Sequence, residues 1–354
     1  MANFNESIVE EAALAWLASL GYTVTHGGTI APGEPAAERA DYREVVLVGR
    51  LRAALVSLNP QASPEALAEA LRLVLAAGAP DLLAANRDFH ALLTRGIAVE
   101  TLRDGEVRGE HLRLLDFDRP GANDWLAVNQ FTIVEGRVER RPDIVLFVNG
   151  IPLAIVELKN AADPQATIWK AWQQLQTYQR QLPTFFAYNA VQVISDGIEA
   201  RLGTLGTPRE RFLPWKTIDG EEPAAPTENQ LEVLLKGVCE PGRFLDLLRS
   251  FIVFEDDGVT IAKKIAAYHQ FHAVRKALDA TKRAAGPEGN RRGGVVWHTQ
   301  GSGKSLTMVF FAGKLIRDPA LRNPTLVILT DRIDLDDQLF GTFARCQGLL
   351  GQEP

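Results

Sequence analysis

Arg141-Pro142-Asp143-Ile144-Val145-Leu146-Phe147-Val148-Asn149-Gly150-Ile151-Pro152-Leu153-Ala154-Ile155-Val156-Glu157-Leu158-Lys159 is the stretch that decides the fold. Two apolar, strand-forming runs flank an Asn-Gly pair, a strong hairpin signal. An acid opens the first strand. An acid and a lysine, two residues apart, close the second. Charges that end buried strands need a reason. Two carboxylates and a lysine on neighbouring strand ends suit metal-assisted cleavage of a phosphodiester. The carboxylates can hold Mg²⁺, a hard ion that prefers oxygen. Such an ion polarises the phosphate and lowers the pKa of a bound water. The lysine can orient that water or stabilise charge on the transition state.

This chemistry sets a condition on register. Glu157 and Lys159 alternate onto the same face of their strand. A plain two-residue turn at Asn149-Gly150 would set Asp143 opposite Val156, and the two acids would then face opposite ways. A three-residue loop, Asn149-Gly150-Ile151, or a β-bulge would set Asp143 opposite Glu157. The residues therefore predict a loop or bulge that shifts the pairing by one.

The chain has 354 residues, 46% hydrophobic and 23% charged, which suits roughly two soluble globular domains. A net charge of −6 gives no sign of a polyanion partner, yet local patches and not net charge bind nucleic acid. The two cysteines, Cys239 and Cys346, are too few and too distant for a disulfide framework or a zinc pattern. That usage suits a reducing cytoplasm. Residues 1–7 hold no basic segment leading into an apolar core, so no signal peptide is expected. No apolar run is long enough for a bilayer.

Apolar spacing predicts helices over 6–20, from Ser63-Pro64-Glu65 to 76, and over 81–94. A strand is expected over 126–134, ending at Glu135-Gly136, followed by the hairpin. A helix over 165–182 and a strand over 190–194 complete an α/β core. Residues 203–227, rich in Gly, Pro and Thr, read as irregular connection. Helices follow near 228–237 and 241–250, with the domain boundary at about 250. The second domain, 251–354, opens with a helix over 261–283. A strand, Val295–His298, then precedes a glycine loop and a helix, and Thr325–Thr330 reads as a second buried strand. Residues 31–97 carry no assignable motif.

Pro142-Asp143 and Glu157-Leu158-Lys159 together resemble the PD-(D/E)xK nuclease superfamily. The resemblance implies a mixed sheet flanked by helices over residues 1–250, with Asp143, Glu157 and Lys159 as the catalytic set. Gln174 and Tyr178, four apart on the next helix, resemble the Gln-x-x-x-Tyr motif of one branch of that superfamily, where it lies near the active site and the DNA. The same families often add an acid from the first helix to the metal site. Glu10 is the choice by its distance to Gly21, with Glu6 and Glu11 as rivals.

His298-Thr299-Gln300-Gly301-Ser302-Gly303-Lys304-Ser305 follows an apolar run and opens a helix. In that setting backbone N–H groups and the helix N-terminus meet phosphates. Lys304 would reach the β/γ-phosphates of ATP and Ser305 would bind Mg²⁺. The segment, with His298 where glycine is usual, resembles the phosphate loop of superfamily 2 helicases and translocases, and so implies a partial RecA-like lobe. Gln270 in Tyr268-His269-Gln270 resembles the adenine-reading glutamine of the helicase Q motif. Val327-Ile328-Leu329-Thr330-Asp331-Arg332 resembles a motif that contacts the nucleic-acid backbone. No Asp-Glu-x-His box follows, so residues 251–354 are expected to be a truncated motor lobe without useful ATP hydrolysis.

A nuclease followed at once by such a motor resembles the restriction (motor) subunit of type I restriction–modification enzymes. That family implies ATP-driven translocation of double-stranded DNA, cleavage of both strands, and a complex with methyltransferase and specificity subunits. Two rivals stay open: a repair or recombination nuclease–helicase without a methyltransferase, and a non-catalytic DNA-binding or assembly module.

Overall fold

The computed structural model describes residues 6–76, 78, 81–103, 106–159, 167–331 and 333–352. The chain divides into two compact units, Met1–Leu245 and Asp246–Pro354.

The first unit is built on a six-stranded mixed sheet whose spatial order follows the chain. Its strands are β1 (Thr23–His26), β2 (Trp125–Asn129), β3 (Ile144–Val148), β4 (Ile151–Leu158), β5 (Val191–Ser195) and β6 (Ala200–Gly203). β1 lies parallel to β2 and β4 parallel to β5; the other pairs are antiparallel. Every residue of β3 and β4 is buried. Helix α1 (Glu6–Ser19) packs on β1 and β2, and helix α2 (Ile168–Gln181) packs on β4 and β5. Burying one Ile, Leu, Val or Phe side chain contributes about 1.5–3 kcal/mol. Central strands of this kind offset the cost of holding charges at their ends, which is several kcal/mol per buried ion.

The hairpin between β3 and β4 does two things at once. Its turn is the two-residue kind: Val148 faces Ile151, with Asn149 at φ 52° and Gly150 at φ 78°. Both values lie in the left-handed region that Asn and Gly tolerate. A bulge then follows. Phe147 faces Pro152 but Leu146 faces Ala154, so Leu153 is the extra residue. Proline has no N–H for the ladder and is at home at a bulge. From Ala154 onward the register is shifted by one, with Ile144 opposite Val156.

Asn149 anchors this turn in the interior. Its Nδ2 donates to the Leu114 carbonyl at 2.8 Å and to Asn123 Oδ1 at 3.0 Å, while the Asp124 N–H donates to its Oδ1 at 2.7 Å. A Cβ on Gly150 would run into the Leu47 carbonyl oxygen, so the next position needs glycine as well.

Several sequence expectations meet a different structure. The strand expected over 126–134 ends at Asn129, and the chain resumes as a separate strand, Ile133–Glu135, paired with Val138–Arg140. Gln130 causes the break: it stands at φ 55°, which no strand residue adopts. Residues 261–265 are a strand, antiparallel to Ile252–Asp256, and helix α3 begins only at Tyr268 and runs to Ala285. The turn between those strands is closed by Asp257, whose Oδ1 accepts the Val259 and Thr260 N–H groups. The expected strands Val295–His298 and Thr325–Thr330 do not form. Val295 is 93% exposed and Leu329 89%. A buried strand needs hydrogen-bonding neighbours, and neither segment has a strand partner among the described residues. The start of the helix expected from 165 falls outside the described residues, as do Asn160 and Arg332. Cys239 and Cys346 are free and buried, and burial pushes each thiol up to about 12. No described helix is long and apolar enough to cross a membrane.

Asn149→Ala should destabilise the first unit by about 3 kcal/mol, because it leaves buried backbone partners unpaired and puts a Cβ-bearing residue of poor tolerance at positive φ. The urea midpoint followed by tryptophan fluorescence checks this; a loss below about 1 kcal/mol would mean the buried network contributes little.

Candidate active site

The shifted register brings the predicted acids together. Continuing the pairing of Ile144 with Val156 sets Asp143 directly opposite Glu157. Both are buried, Glu157 completely. Asp143 Oδ2 accepts the Leu158 N–H at 2.7 Å, which ties the first acid to the strand that carries the second. Lys159 Nζ donates to Glu157 Oε1 at 2.8 Å and to the Leu158 carbonyl at 2.8 Å. The Lys159 N–H donates to the Ser195 carbonyl, so β5 holds the end of β4 in place.

Helix α2 supplies the next pair. Gln174 Nε2 donates to the Tyr178 hydroxyl at 2.6 Å. Tyr178 is buried, and burial raises its phenol well above the ordinary value. The negative charges of Glu157 and Asp143 raise it further, against the opposing Gln174 hydrogen bond. Helix α2, which carries the phenol, packs on β4, the strand that carries Glu157. The phenol stays protonated at neutral pH, with an O–H to donate.

Glu10, from α1, is half-buried at the neighbouring strand. Its Oε1 accepts from Asn129 Nδ2 and its Oε2 from Gln130 Nε2, each at 2.6 Å. Gln130 in turn donates its backbone N–H to the Asp143 carbonyl at 2.9 Å. Glu11 is exposed, and the side chain of Glu6 lies outside the described residues. Sequence reasoning missed Asn129 and Gln130. Their signal was present: a pair of amides interrupts the apolar run from Trp125 to Val134.

A divalent cation fits the donor set here. The Lys159 ammonium already rests on two oxygens, Glu157 Oε1 and the Leu158 carbonyl, and Asp143 adds a carboxylate beside them. Hard ions of the Mg²⁺ type need only one or two carboxylates, with water filling the rest. Among the described residues, no group of three or more His, Cys, Asp or Glu side chains is gathered for a metal. Of the sequence-predicted trio, Asp143 and Glu157 face each other across the strands, while Glu10 bonds to Asn129 and Gln130.

The second unit carries the glycine loop. Gly301 and Gly303 stand at φ 80° and 83°, and Gly303 leads into helix α4 (Lys304–Arg317) with no side chain capping its N-terminus. The N–H groups of that first turn are therefore open to an anion. Lys304 Nζ lies 3.3 Å from both the His298 and Thr299 carbonyls, against the loop itself. Ser305 is half-buried at the start of α4. Ser302 Oγ donates to the Thr299 carbonyl at 2.7 Å. Burial, then the charges of His269 and Lys304, lower the His298 imidazole below its usual value.

Gln270 faces the glycine loop. It is buried, its Oε1 accepts the Ala267 N–H, and its Nε2 donates to the Gly303 carbonyl at 3.1 Å and to Thr307 Oγ1 at 3.3 Å. His269 Nε2 lies 3.1 Å from the Ser302 carbonyl. These two side chains fasten the glycine loop to α3.

The family model described as type I restriction enzyme R protein N terminus matches residues 3–211, more than half of the chain. The chain belongs to this family. A second family model, SWI2/SNF2 ATPase, matches residues 269–353. The HindI endonuclease subunit of a type I restriction enzyme from Haemophilus influenzae is 43% identical over 354 residues, covering 99% of this chain and 34% of the relative. The MjaIXP protein of Methanocaldococcus jannaschii, named as a type I restriction enzyme endonuclease subunit, is 33% identical over 367 residues, covering 97% and 34%. The chain therefore spans about a third of the length of these curated relatives.

Gln270→Ala in the full-length protein should weaken ATP and GTP binding alike, by about tenfold, since a lost loop-holding hydrogen bond is worth about 1 kcal/mol or somewhat more. Equilibrium titration with both nucleotides checks this. A loss confined to ATP would make Gln270 a reader of adenine.

Proposed function

We propose that the first unit is the Mg²⁺-dependent double-stranded DNA nuclease of a type I restriction enzyme, and that the second is the start of its ATP-driven motor. One observation supports the nuclease reading most: the Leu153 bulge sets Asp143 opposite Glu157, with Lys159 bound to Glu157 at the same strand end. Asp143 and Glu157 would hold the ion, with the Leu158 carbonyl as a further oxygen. When bound, the ion supplies Lewis-acid polarisation of the phosphate and a water that ionises near neutral pH.

The chain's own residues do the rest. Asp143 and Glu157 orient whatever they hold, because one is hydrogen-bonded to the backbone of the strand that carries the other. Lys159 moves its ammonium between Glu157 and the phosphate, where it offsets charge developing on the non-bridging oxygens. Tyr178, kept protonated, and Gln174 offer neutral donors to the DNA backbone beside the cluster. Such donors fix position without reading sequence. DNA sequence choice then belongs to a specificity subunit, and a methyltransferase subunit completes the complex. In the motor unit, the backbone of Gly301, Ser302 and Gly303 cradles the phosphates of ATP, Lys304 neutralises them, and Ser305 takes a Mg²⁺ position.

Asp143→Ala and Lys159→Ala should each abolish Mg²⁺-dependent cleavage by the assembled full-length enzyme while ATPase and translocation continue. EDTA should stop wild-type cleavage and excess Mg²⁺ restore it. Cleavage that persists in either variant removes this site from the reaction.

Lys304→Ala should abolish ATPase and translocation of the full-length enzyme and leave the far-ultraviolet circular dichroism unchanged; surviving ATPase would refute the phosphate-loop reading. Pull-down of the full-length protein should recover a DNA methyltransferase. Its absence, with a repair or recombination partner in its place, favours the nuclease–helicase alternative.

A further inference from the structure

We infer that Glu10, Asn129 and Gln130 form a positioning clamp for the nuclease cluster, with Glu10 outside the metal's ligand set. The inference rests on the nuclease reading above and reassigns one residue within it.

Gln130 is the centre of the clamp. At φ 55° it occupies a conformation that glutamine takes only when its surroundings demand it. Three contacts make that demand. Its backbone N–H donates to the Asp143 carbonyl at 2.9 Å, just beyond the last paired residues, Asn129 and Ile144. Its side-chain amide donates to Glu10 at 2.6 Å. Behind it lies Gly27, whose N–H donates to the Asn129 carbonyl at 2.8 Å. A Cβ on Gly27 would strike the Gln130 carbonyl oxygen, so the backbone approaches as closely as a glycine allows.

Glu10 is committed to this corner. Each of its oxygens accepts an amide hydrogen, one from Asn129 and one from Gln130, both at 2.6 Å. Two charge-assisted hydrogen bonds hold a carboxylate rigidly. Neither comes from the strand ends that carry Glu157 and Lys159. Glu10 staples α1 to the left-handed corner, the corner holds the main chain of Asp143, and Asp143 meets Glu157 in the register that the bulge provides.

The test uses Glu10→Gln, Gln130→Gly and the double variant, with Asp143→Ala as the reference for a ligand. Gln130→Gly keeps the left-handed backbone and removes only the amide. Mn²⁺ affinity of this chain is measured by electron paramagnetic resonance. Cleavage kcat and ATPase are measured in the assembled full-length enzyme. Both single variants should keep Mn²⁺ affinity within about twofold and lose cleavage kcat by about tenfold or more, as small misplacements of reacting groups do. The double variant should lose no more than either single one, the mark of a shared role, and ATPase should not change. A Glu10→Gln variant that loses Mn²⁺ affinity as fully as Asp143→Ala makes Glu10 a ligand and overturns the inference. Additive kcat losses, or an unchanged kcat in Gln130→Gly, overturn it too. Should Gln130→Gly unfold by circular dichroism, Gln130→Asn, which tolerates positive φ and carries a shorter amide, is judged by the same outcomes. If Asp143→Ala itself leaves Mn²⁺ affinity intact, the nuclease reading fails and takes this inference with it.

Discussion

One extra residue, Leu153, sits in a hairpin that is otherwise buried and regular, and the meeting of Asp143 with Glu157 depends on it. Side chains alternate across a strand, so a shift of one residue moves every side chain beyond it to the other face. Without the bulge, Glu157 would point away from Asp143. With it, the two acids and Lys159 share one face, and α2 packs on the strand that carries Glu157. Pro152 makes the bulge acceptable by withdrawing a donor from the ladder. The Asn149-Gly150 turn makes it stable by anchoring the hairpin to Leu114, Asn123 and Asp124.

The acidic cluster persists in a buried setting because each charge has a defined partner. Asp143 accepts a backbone N–H, Glu157 meets the Lys159 ammonium, and Glu10 meets two amides. Charges in such a site are held by geometry and by the apolar strands around them, since an unpaired buried ion costs several kcal/mol. The second unit uses the same principle with neutral groups. Gln270 and His269 meet the carbonyls of Gly303 and Ser302, which fixes the loop at the start of α4.

Much of this was legible in the residues. Asn149-Gly150 announced the hairpin, and the need for Asp143 to meet Glu157 announced a register shift. Ser63 announced a helix start, and its hydroxyl accepts the Ala66 N–H. Gln174 and Tyr178 were found by their resemblance to a Gln-x-x-x-Tyr motif, and the structure joins them by a hydrogen bond. What misled was local pattern without partners. Val295–His298 and Thr325–Thr330 have strand composition, but strand is a property of pairs, and no neighbouring strand is present for them among the described residues. The run from 126 to 134 looked continuous because one residue at positive φ leaves no mark on hydrophobic periodicity. Residues 261–265 looked helical because the Asp257-Gly258 pair, a hairpin signal, was read as a domain boundary and not as the turn that joins them to Ile252–Asp256.

The sequence by itself determined the chemistry-bearing set and the class of fold: an acid, an acid-x-lysine and a glycine loop, each at the edge of an apolar run. Those are one-dimensional properties of residue type and spacing. Only the tertiary structure decided where the shift in register falls, that Gln130 breaks the strand, and that Glu10 is held by two amides beside the Asp143 main chain. Each of those depends on contacts between segments far apart in the chain, such as Glu10 with Gln130 and Asn149 with Leu114. Such contacts are set by packing and hydrogen-bond satisfaction in three dimensions, and spacing along the chain does not encode them.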